Sequence, residues 1–185
     1  MSYQDTHQRI LRELSTTLAA IPEEQVAELI TQINKAEKVF FVGVGRVLLS
    51  LEAIAKRLAH LGIHTVVVGQ ITEPAITEHD LLIVGSGSGE SMFPLGIAKK
   101  AKQLGATVAH IGSNPNSSMK ASTDHFVRIP TRTKIGLDGE IISIQPMTSL
   151  FEQTLLLLGD TIALMMIEEQ EIDMHDLWRF HANLE

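Results

Sequence analysis

Near the middle of the chain, a strand-like segment runs directly into a loop of glycine and serine, and this junction strongly constrains the fold. Leu81–Val84 is an apolar run between Asp80 and Gly85, and it predicts a short buried strand. Residues 85–91 read Gly-Ser-Gly-Ser-Gly-Glu-Ser and lead into a helical pattern. Glycines let backbone amides approach a ligand, serine hydroxyls donate hydrogen bonds, and a helix N-terminus attracts anions. The junction therefore predicts a phosphate-binding loop.

This loop lacks the signatures of common nucleotide-binding loops. No lysine follows the glycines as in GxxxxGK[ST], and the spacing does not match GxGxxG. A small phosphorylated metabolite fits the loop better than a nucleotide does. A plain strand-to-helix turn with a serine cap is the alternative that the loop alone leaves open.

The composition narrows the classes of protein and partner. The chain has 185 residues, which suits one α/β domain with short extensions. Its net charge of −7 argues against a nucleic-acid partner, and its lack of cysteine excludes disulfides. The N-terminus is polar, and the apolar run over 154–167 is interrupted by glycine and aspartate and reads as too short for a bilayer. We expect a cytoplasmic protein with no membrane partner.

Apolar strand-like runs alternate with helical patterns over residues 37–130. The runs cover residues 39–42, 64–68, 81–84, 107–111 and 125–129. Strands joined by helical crossovers form parallel sheets with helices on both faces. The sequence therefore predicts a three-layer α/β/α sandwich, with a five-stranded parallel sheet in the flavodoxin-like order 2-1-3-4-5.

The rest of the predicted single domain, 1–185, flanks this core. Residues 1–36 read as an N-terminal extension of two amphipathic helices. Residues 131–145 are polar and predict a loop, and loops this long tend to be functional or mobile. Residues 146–185 predict a long helix and a tail. This helix is apolar nearly all round, so we expect it to be buried between the sheet and a neighbouring subunit.

Gly45 and Arg46 follow the first predicted strand. In the predicted strand order, the carboxyl ends of strands 1 and 3 flank the switch point at which such sheets bind ligands. The residues after strand 1 should therefore face the loop at 85–91 across one crevice. A cation at position 46 suits an anionic substrate, although a structural ion pair is an alternative.

Three further side chains are candidates for proton transfer. Glu152 lies near the start of the long helix among apolar neighbours, which suits a partly buried general base, and a surface carboxylate is equally compatible. His60 and His181 are candidate proton carriers, although each also fits a solvated surface histidine. The histidines show no metal-ligand spacing, so we expect no metal site.

Five segments together resemble the sugar isomerase (SIS) domain family, and within it the 6-phospho-3-hexuloisomerases. The glycine/serine loop indicates only the broad family, whereas the Pro-Met…Phe-Glu segment and the His-Ala-Asn-Leu tail are more specific. The matching segments are Val42–Arg46, Lys56–Gly62, Gly85–Ser91, Gln145–Gln153 and His181–Glu185.

The resemblance implies interconversion of D-arabino-3-hexulose 6-phosphate and fructose 6-phosphate, a step of ribulose monophosphate formaldehyde fixation. It also implies a homo-oligomer, a tetramer or a dimer, with active sites at subunit interfaces. Ser86, Ser88 and Ser91, with loop amides such as that of Gly87, would hold the 6-phosphate.

The resemblance also implies roles in proton transfer. Glu152 would move a proton between C2 and C3 through an enediol, a shift that needs no redox or metal cofactor. Arg46 would stabilise the enediolate oxygens, and His181 and His60 are candidates for carrying the hydroxyl proton.

The chain departs from the family pattern in the sugar half of the site. Val47 and Leu48 stand where the family usually has serine and glycine, and Thr148 replaces a glycine beside the proposed base. Ser91 replaces a threonine and keeps the hydroxyl. Two alternatives therefore stay open: an isomerase for another ketose phosphate, and a non-catalytic protein that binds sugar phosphate.

Overall fold

Five parallel strands form a single sheet in the computed structural model, which describes residues 2–133 and 136–184. The pairing order is 2-1-3-4-5, as predicted. The first and third strands are buried along their whole length because they are interior strands covered on both faces. The strands are β1 (Val39–Val42), β2 (Thr65–Val67), β3 (Leu81–Gly85), β4 (Thr107–Gly112) and β5 (His125–Arg128).

The helices are α1 (Tyr3–Ala19), α2 (Glu23–Lys35), α3 (Gly45–Ala59), α4 (Met92–Gln103) and α5 (Ser149–Glu169), with short 3₁₀ helices at Ser118–Ser122 and Asp176–Phe180. The helix after β1 begins at Gly45, where the chain turns with a φ of 59° that glycine adopts readily. The long helix begins at Ser149 rather than at 146, because Met147 has a φ of 56°, outside the helical region.

The helices cover both faces of the sheet and confirm the three-layer prediction. Alternate strand residues point to opposite faces. Phe41 and Ile83 belong to the core shared with α2, α3 and α5. Phe40 and Val84 belong to the core shared with α4 and the 3₁₀ helix at Ser118–Ser122.

The long helix α5 is buried on one side only. Its inner side includes Leu155 and Ile162, whereas Leu157, Leu164 and Met165 are exposed. Its 21 residues are long and apolar enough to cross a membrane, contrary to the expectation of too short a run, but 56% of an apolar 18-residue stretch of it is buried inside the fold. It packs against α3, α1 and α2 in the manner of a core helix.

The contact between α3 and α5 sets the geometry of the candidate site. Gly159 lies against Ile54, so close that a Cβ on the glycine would come 2.2 Å from the isoleucine Cγ1. Ser50 and Glu152 lie one to two turns from this contact, toward the sheet's carboxyl edge. There the Ser50 hydroxyl donates to the backbone carbonyl of Glu152 at 2.9 Å. The missing side chain at position 159 therefore allows the two helices to approach, and their first turns meet at the cleft.

The predicted loop at 131–145 contains one isolated parallel bridge, Thr131 to Ile141, and its residues 134 and 135 lie outside the described part. Its last part is held by Glu13 of α1. The Glu13 carboxylate accepts hydrogen bonds from the Ser143 hydroxyl at 2.8 Å and the Ile144 N–H at 2.7 Å. The N-terminal extension thus anchors the segment that leads into α5.

Candidate active site

A cleft of about 320 Å³ opens at the carboxyl edge of the sheet, between the ends of β1 and β3 and the first turn of α5. Seven of the nine predicted site residues line it: Gly45, Arg46, Ser86, Gly87, Ser88, Ser91 and Glu152. The strand order thus places the predicted phosphate loop opposite the predicted cation and base. Whether these residues have the expected roles stays a prediction.

Three successive backbone carbonyls of the loop after β3 accept hydrogen bonds from other groups of the protein. The Ser86 carbonyl accepts from the Gly89 N–H at 3.2 Å and the Gly87 carbonyl accepts from the Ser113 N–H at 2.9 Å. The Ser88 carbonyl accepts from the Asn114 side chain at 3.3 Å. In a trans peptide the N–H points opposite to the preceding carbonyl. The amides of Gly87 and Ser88 therefore face the cleft, and within the described residues neither donates a hydrogen bond.

Ser91 ends this loop at the N-cap position of α4. Its hydroxyl makes no capping hydrogen bond to the helix and none to any other group of the described residues, so it is available to a ligand in the cleft. The positive end of the helix dipole lies at the same point. Free amides, a free hydroxyl and a helix N-terminus suit a phosphate group.

Glu152 lies at the opposite wall, in the first turn of α5, and is only 7% exposed. The Thr148 hydroxyl donates to its Oε1 at 2.8 Å, and Arg46 Nε donates to its Oε2. A carboxylate has about four acceptor positions, so both oxygens keep room for a further proton or donor. The arrangement gives an oriented carboxylate beside a cation, in the same cleft as the glycine/serine loop.

His60 and His181 lie elsewhere in the same chain. His60 caps the C-terminal end of α3, and its ring stacks on His181 with centroids 5.1 Å apart. The tail docks there, because Phe180 covers Gly62, where a Cβ would come 3.0 Å from the ring. A helix rises about 1.5 Å per residue, so the histidine pair lies about 20 Å from Arg46 at the other end of α3. Within one chain, the structure does not bring these histidines to Glu152.

Four lining residues were missed by the sequence analysis: Ser113, Thr131, Arg132 and Thr133. All four follow the carboxyl ends of β4 and β5, and residues in that position belong to the same edge of the sheet as the loop at 85–91. The rule that pointed to strands 1 and 3 would have found them if it had been applied to every strand. Arg132 adds a second cation to a cleft in a chain of net negative charge.

In the described residues, 2–133 and 136–184, no group of three or more histidine, aspartate or glutamate side chains is arranged to hold a metal ion. That the chemistry needs no metal or other cofactor stays a prediction.

The chain is similar to known proteins over most of its length. Residues 32–158 match the family model described as SIS domain. A 3-hexulose-6-phosphate isomerase from Bacillus subtilis (strain 168) is 40% identical over 176 residues, which is 95% of each chain. Another from Mycobacterium gastri is 39% identical over 173 residues, covering 94% of this chain and 86% of that one. A Methanococcus jannaschii crystal structure, with an inferred function of 3-hexulose-6-phosphate isomerase, has a TM-score of 0.83 at 27% identity and covers 98% of this chain and 99% of the other.

Proposed function

Because this chain belongs to the SIS domain family, we propose that it is an isomerase that interconverts D-arabino-3-hexulose 6-phosphate and fructose 6-phosphate. The observation that carries the proposal is the cleft, in which a phosphate loop faces a buried carboxylate paired with an arginine. Two relatives that are named for this activity are about 40% identical to this chain over nearly its whole length, and they support the choice of substrate.

The phosphate loop would bind the 6-phosphate. The amides of Gly87 and Ser88 and the hydroxyl of Ser91 supply donors without needing a lysine. Binding at one end of the sugar leaves C2 and C3 toward the other wall of the cleft, where Glu152 lies. Correct placement of the reacting carbon beside the base is itself a large part of catalysis.

Glu152 would transfer the proton between the two carbons. Its carboxylate takes the proton from C2 of the 3-ketose, the C2–C3 double bond of an enediol forms, and the C3 carbonyl oxygen becomes a hydroxyl. The same carboxyl group then returns the proton to C3 while the oxygen on C2 becomes the new carbonyl. Arg46 keeps N–H groups beyond the one bound to Glu152, and these stabilise the negative charge that develops on the enediolate oxygens. These steps need no cofactor.

The hydroxyl proton must also move between the oxygens on C2 and C3, and the histidine pair is the candidate carrier. The pair of His60 and His181 lies about 20 Å from Arg46 along α3, so it would have to act in the cleft of a neighbouring copy. We therefore propose a homo-oligomer, a dimer or a tetramer. The exposed apolar side chains of α5, Leu157 and Leu164 among them, support such an interface. A cytoplasmic location is also part of the proposal.

The test is a coupled assay in which 3-hexulose 6-phosphate is supplied and fructose 6-phosphate is measured. Glu152→Gln keeps the shape of the side chain and should lower turnover by at least about 100-fold, as expected when a general base is removed. Glu168→Gln, an exposed position on the same helix, is the matched control and should behave as wild type. A wild-type protein that binds the sugar phosphate without converting it, or an active Glu152→Gln variant, would contradict the enzyme proposal.

The same assay separates a second candidate substrate. Val47 lines the cleft where the family usually has a serine, and this observation favours a different ketose phosphate as the alternative. Faster conversion of another ketose phosphate, such as ribulose 5-phosphate, than of the hexulose phosphate would overturn the substrate while keeping the reaction class. A separate experiment mixes Glu152→Gln subunits with His181→Ala subunits and tests whether two subunits share one site. A hybrid oligomer can combine an intact Glu152 from one subunit with an intact His181 from the other, so it should regain activity that neither variant has alone.

A further inference from the structure

His110 is a buried histidine on β4 that the proposed chemistry does not use. It is 1% exposed, and its Nε2 lies 2.8 Å from the backbone carbonyl oxygen of Ser86, the residue that opens the phosphate loop. A carbonyl oxygen only accepts, so Nε2 carries the proton in this contact. Burial lowers the pKa of His110 to about 4, and the ring is therefore a neutral donor near neutral pH.

Two glycines provide the space for this ring. A Cβ on Gly112, two residues further along β4, would lie 2.4 Å from the His110 Nε2 and 2.6 Å from the Ser86 oxygen. A Cβ on Gly89, in the loop itself, would lie 3.1 Å from the His110 Cε1. Phe126 on β5 packs against the imidazole, with ring centroids 5.1 Å apart. The ring is thus enclosed between the loop and the sheet and has little freedom to turn.

The contact controls the orientation of one peptide group. The Ser86 carbonyl accepts from His110 and from the Gly89 N–H, so its direction is set from two sides. The N–H of Gly87 belongs to the same planar peptide and points the opposite way, toward the cleft. Without the imidazole donor, this carbonyl keeps one partner, and the peptide gains freedom to rotate away from the geometry that an anion needs.

We propose that His110 is a positioning residue for phosphate binding: its Nε2–H holds the Ser86 carbonyl and thereby directs the Gly87 N–H at the phosphate of the substrate. The assignment rests on the proposed function, because it takes the cleft to bind a sugar phosphate. His110 touches neither the substrate nor the reacting atoms in this scheme. Its effect should therefore appear in affinity rather than in turnover.

The experiment compares two substitutions at this position. His110→Leu fills a similar space without a donor, and His110→Gln carries an amide N–H at a similar reach. The dissociation constant of inorganic phosphate, measured by calorimetry, should rise about tenfold in His110→Leu, the size expected for one lost hydrogen bond to an anion. KM should rise by a similar factor, with kcat within about twofold. His110→Gln should recover most of the affinity.

His125→Leu is the matched control, because this histidine lies on the adjacent strand and pairs with Glu28 rather than with the loop. It should bind phosphate as wild type does. A folded His110→Leu protein with wild-type phosphate affinity would overturn the proposal, as would a loss of affinity equal in His110→Leu and His110→Gln.

Wild-type protein provides a second readout if His110→Leu does not fold. Titration with phosphate should shift the NMR signals of the Gly87 N–H and the His110 Nε2–H together, and a moving Gly87 signal with an unmoved His110 signal would refute the coupling. If wild type binds phosphate but does not convert hexulose phosphate, only the proposed function is overturned. The phosphate affinities of the variants still test the role of His110. Wild type that binds no phosphate would overturn both proposals.

Discussion

Replacing Gly159 with alanine tests whether the close approach of α3 and α5 holds the candidate site together. The new Cβ would lie 2.2 Å from Cγ1, 2.6 Å from Cδ1 and 3.1 Å from Cγ2 of Ile54. Both branches of the isoleucine are in the way, and β-branched side chains have few alternative rotamers in a helix. The helices must therefore move apart.

The magnitude follows from two opposing terms. Overpacking in a core costs about 1–3 kcal/mol, and contact with three atoms of a stiff side chain favours the upper part of this range. Alanine in place of glycine inside a helix stabilises the folded protein by about 1 kcal/mol. We expect Gly159→Ala to lower the free energy of unfolding by about 2 kcal/mol. It should also lower kcat, because Glu152 and Arg46 are held by the same two helices.

Gly96 of α4 is the matched control. It is exposed, and a Cβ there would have no atom within 4 Å, so Gly96→Ala should raise the free energy of unfolding by about 0.5–1 kcal/mol. Urea unfolding of both variants at one protein concentration measures the difference. In an Ile54→Ala background, Gly159→Ala should become neutral or stabilising. Equal stability of Gly159→Ala and Gly96→Ala in the native background would refute the reasoning.

Two further predictions concern Thr148, beside Glu152, and Glu13 of α1. Thr148→Ala removes the hydroxyl that donates to the Glu152 Oε1, so kcat in the coupled assay should fall by about 10- to 100-fold with little change in KM, and Thr148→Ser should retain activity. Partial burial raises the pKa of Glu13, but hydrogen bonds from the Ile144 N–H and two side chains outweigh it and lower the pKa overall. The stabilisation from Glu13 is then full above the ordinary glutamate pKa of 4.5 and is lost as the pH falls through the lowered value. Glu13→Gln should therefore unfold at lower urea than wild type at about pH 6, and this difference should shrink toward about pH 3.

Local patterns were sufficient to predict the sheet and the position of the glycine/serine loop. Short apolar runs such as Leu81–Val84 are buried wherever the fold places them, and a glycine/serine loop before a helix has the same backbone chemistry in any context. The handedness of crossovers then limits the strand order, so Gly45 and Arg46 were correctly expected opposite residues 85–91.

Contacts between distant segments were decided only by the tertiary structure. The ion pair of Arg46 and Glu152 joins residues 106 positions apart and depends on how closely α3 and α5 pack, which a helical pattern does not encode. His60 lies at the far end of α3 from that pair because the length of the helix separates it from Arg46, so the helical pattern itself argues against grouping His60 with Glu152 in one chain. His110 shows most clearly what a local sequence pattern cannot predict. Strand periodicity predicts that a residue on β4 is buried, but only the paired strands and the two nearby glycines show that its ring reaches the Ser86 carbonyl. Burial is a property of the local pattern, whereas the partner of a buried polar group depends on what the rest of the chain brings to it.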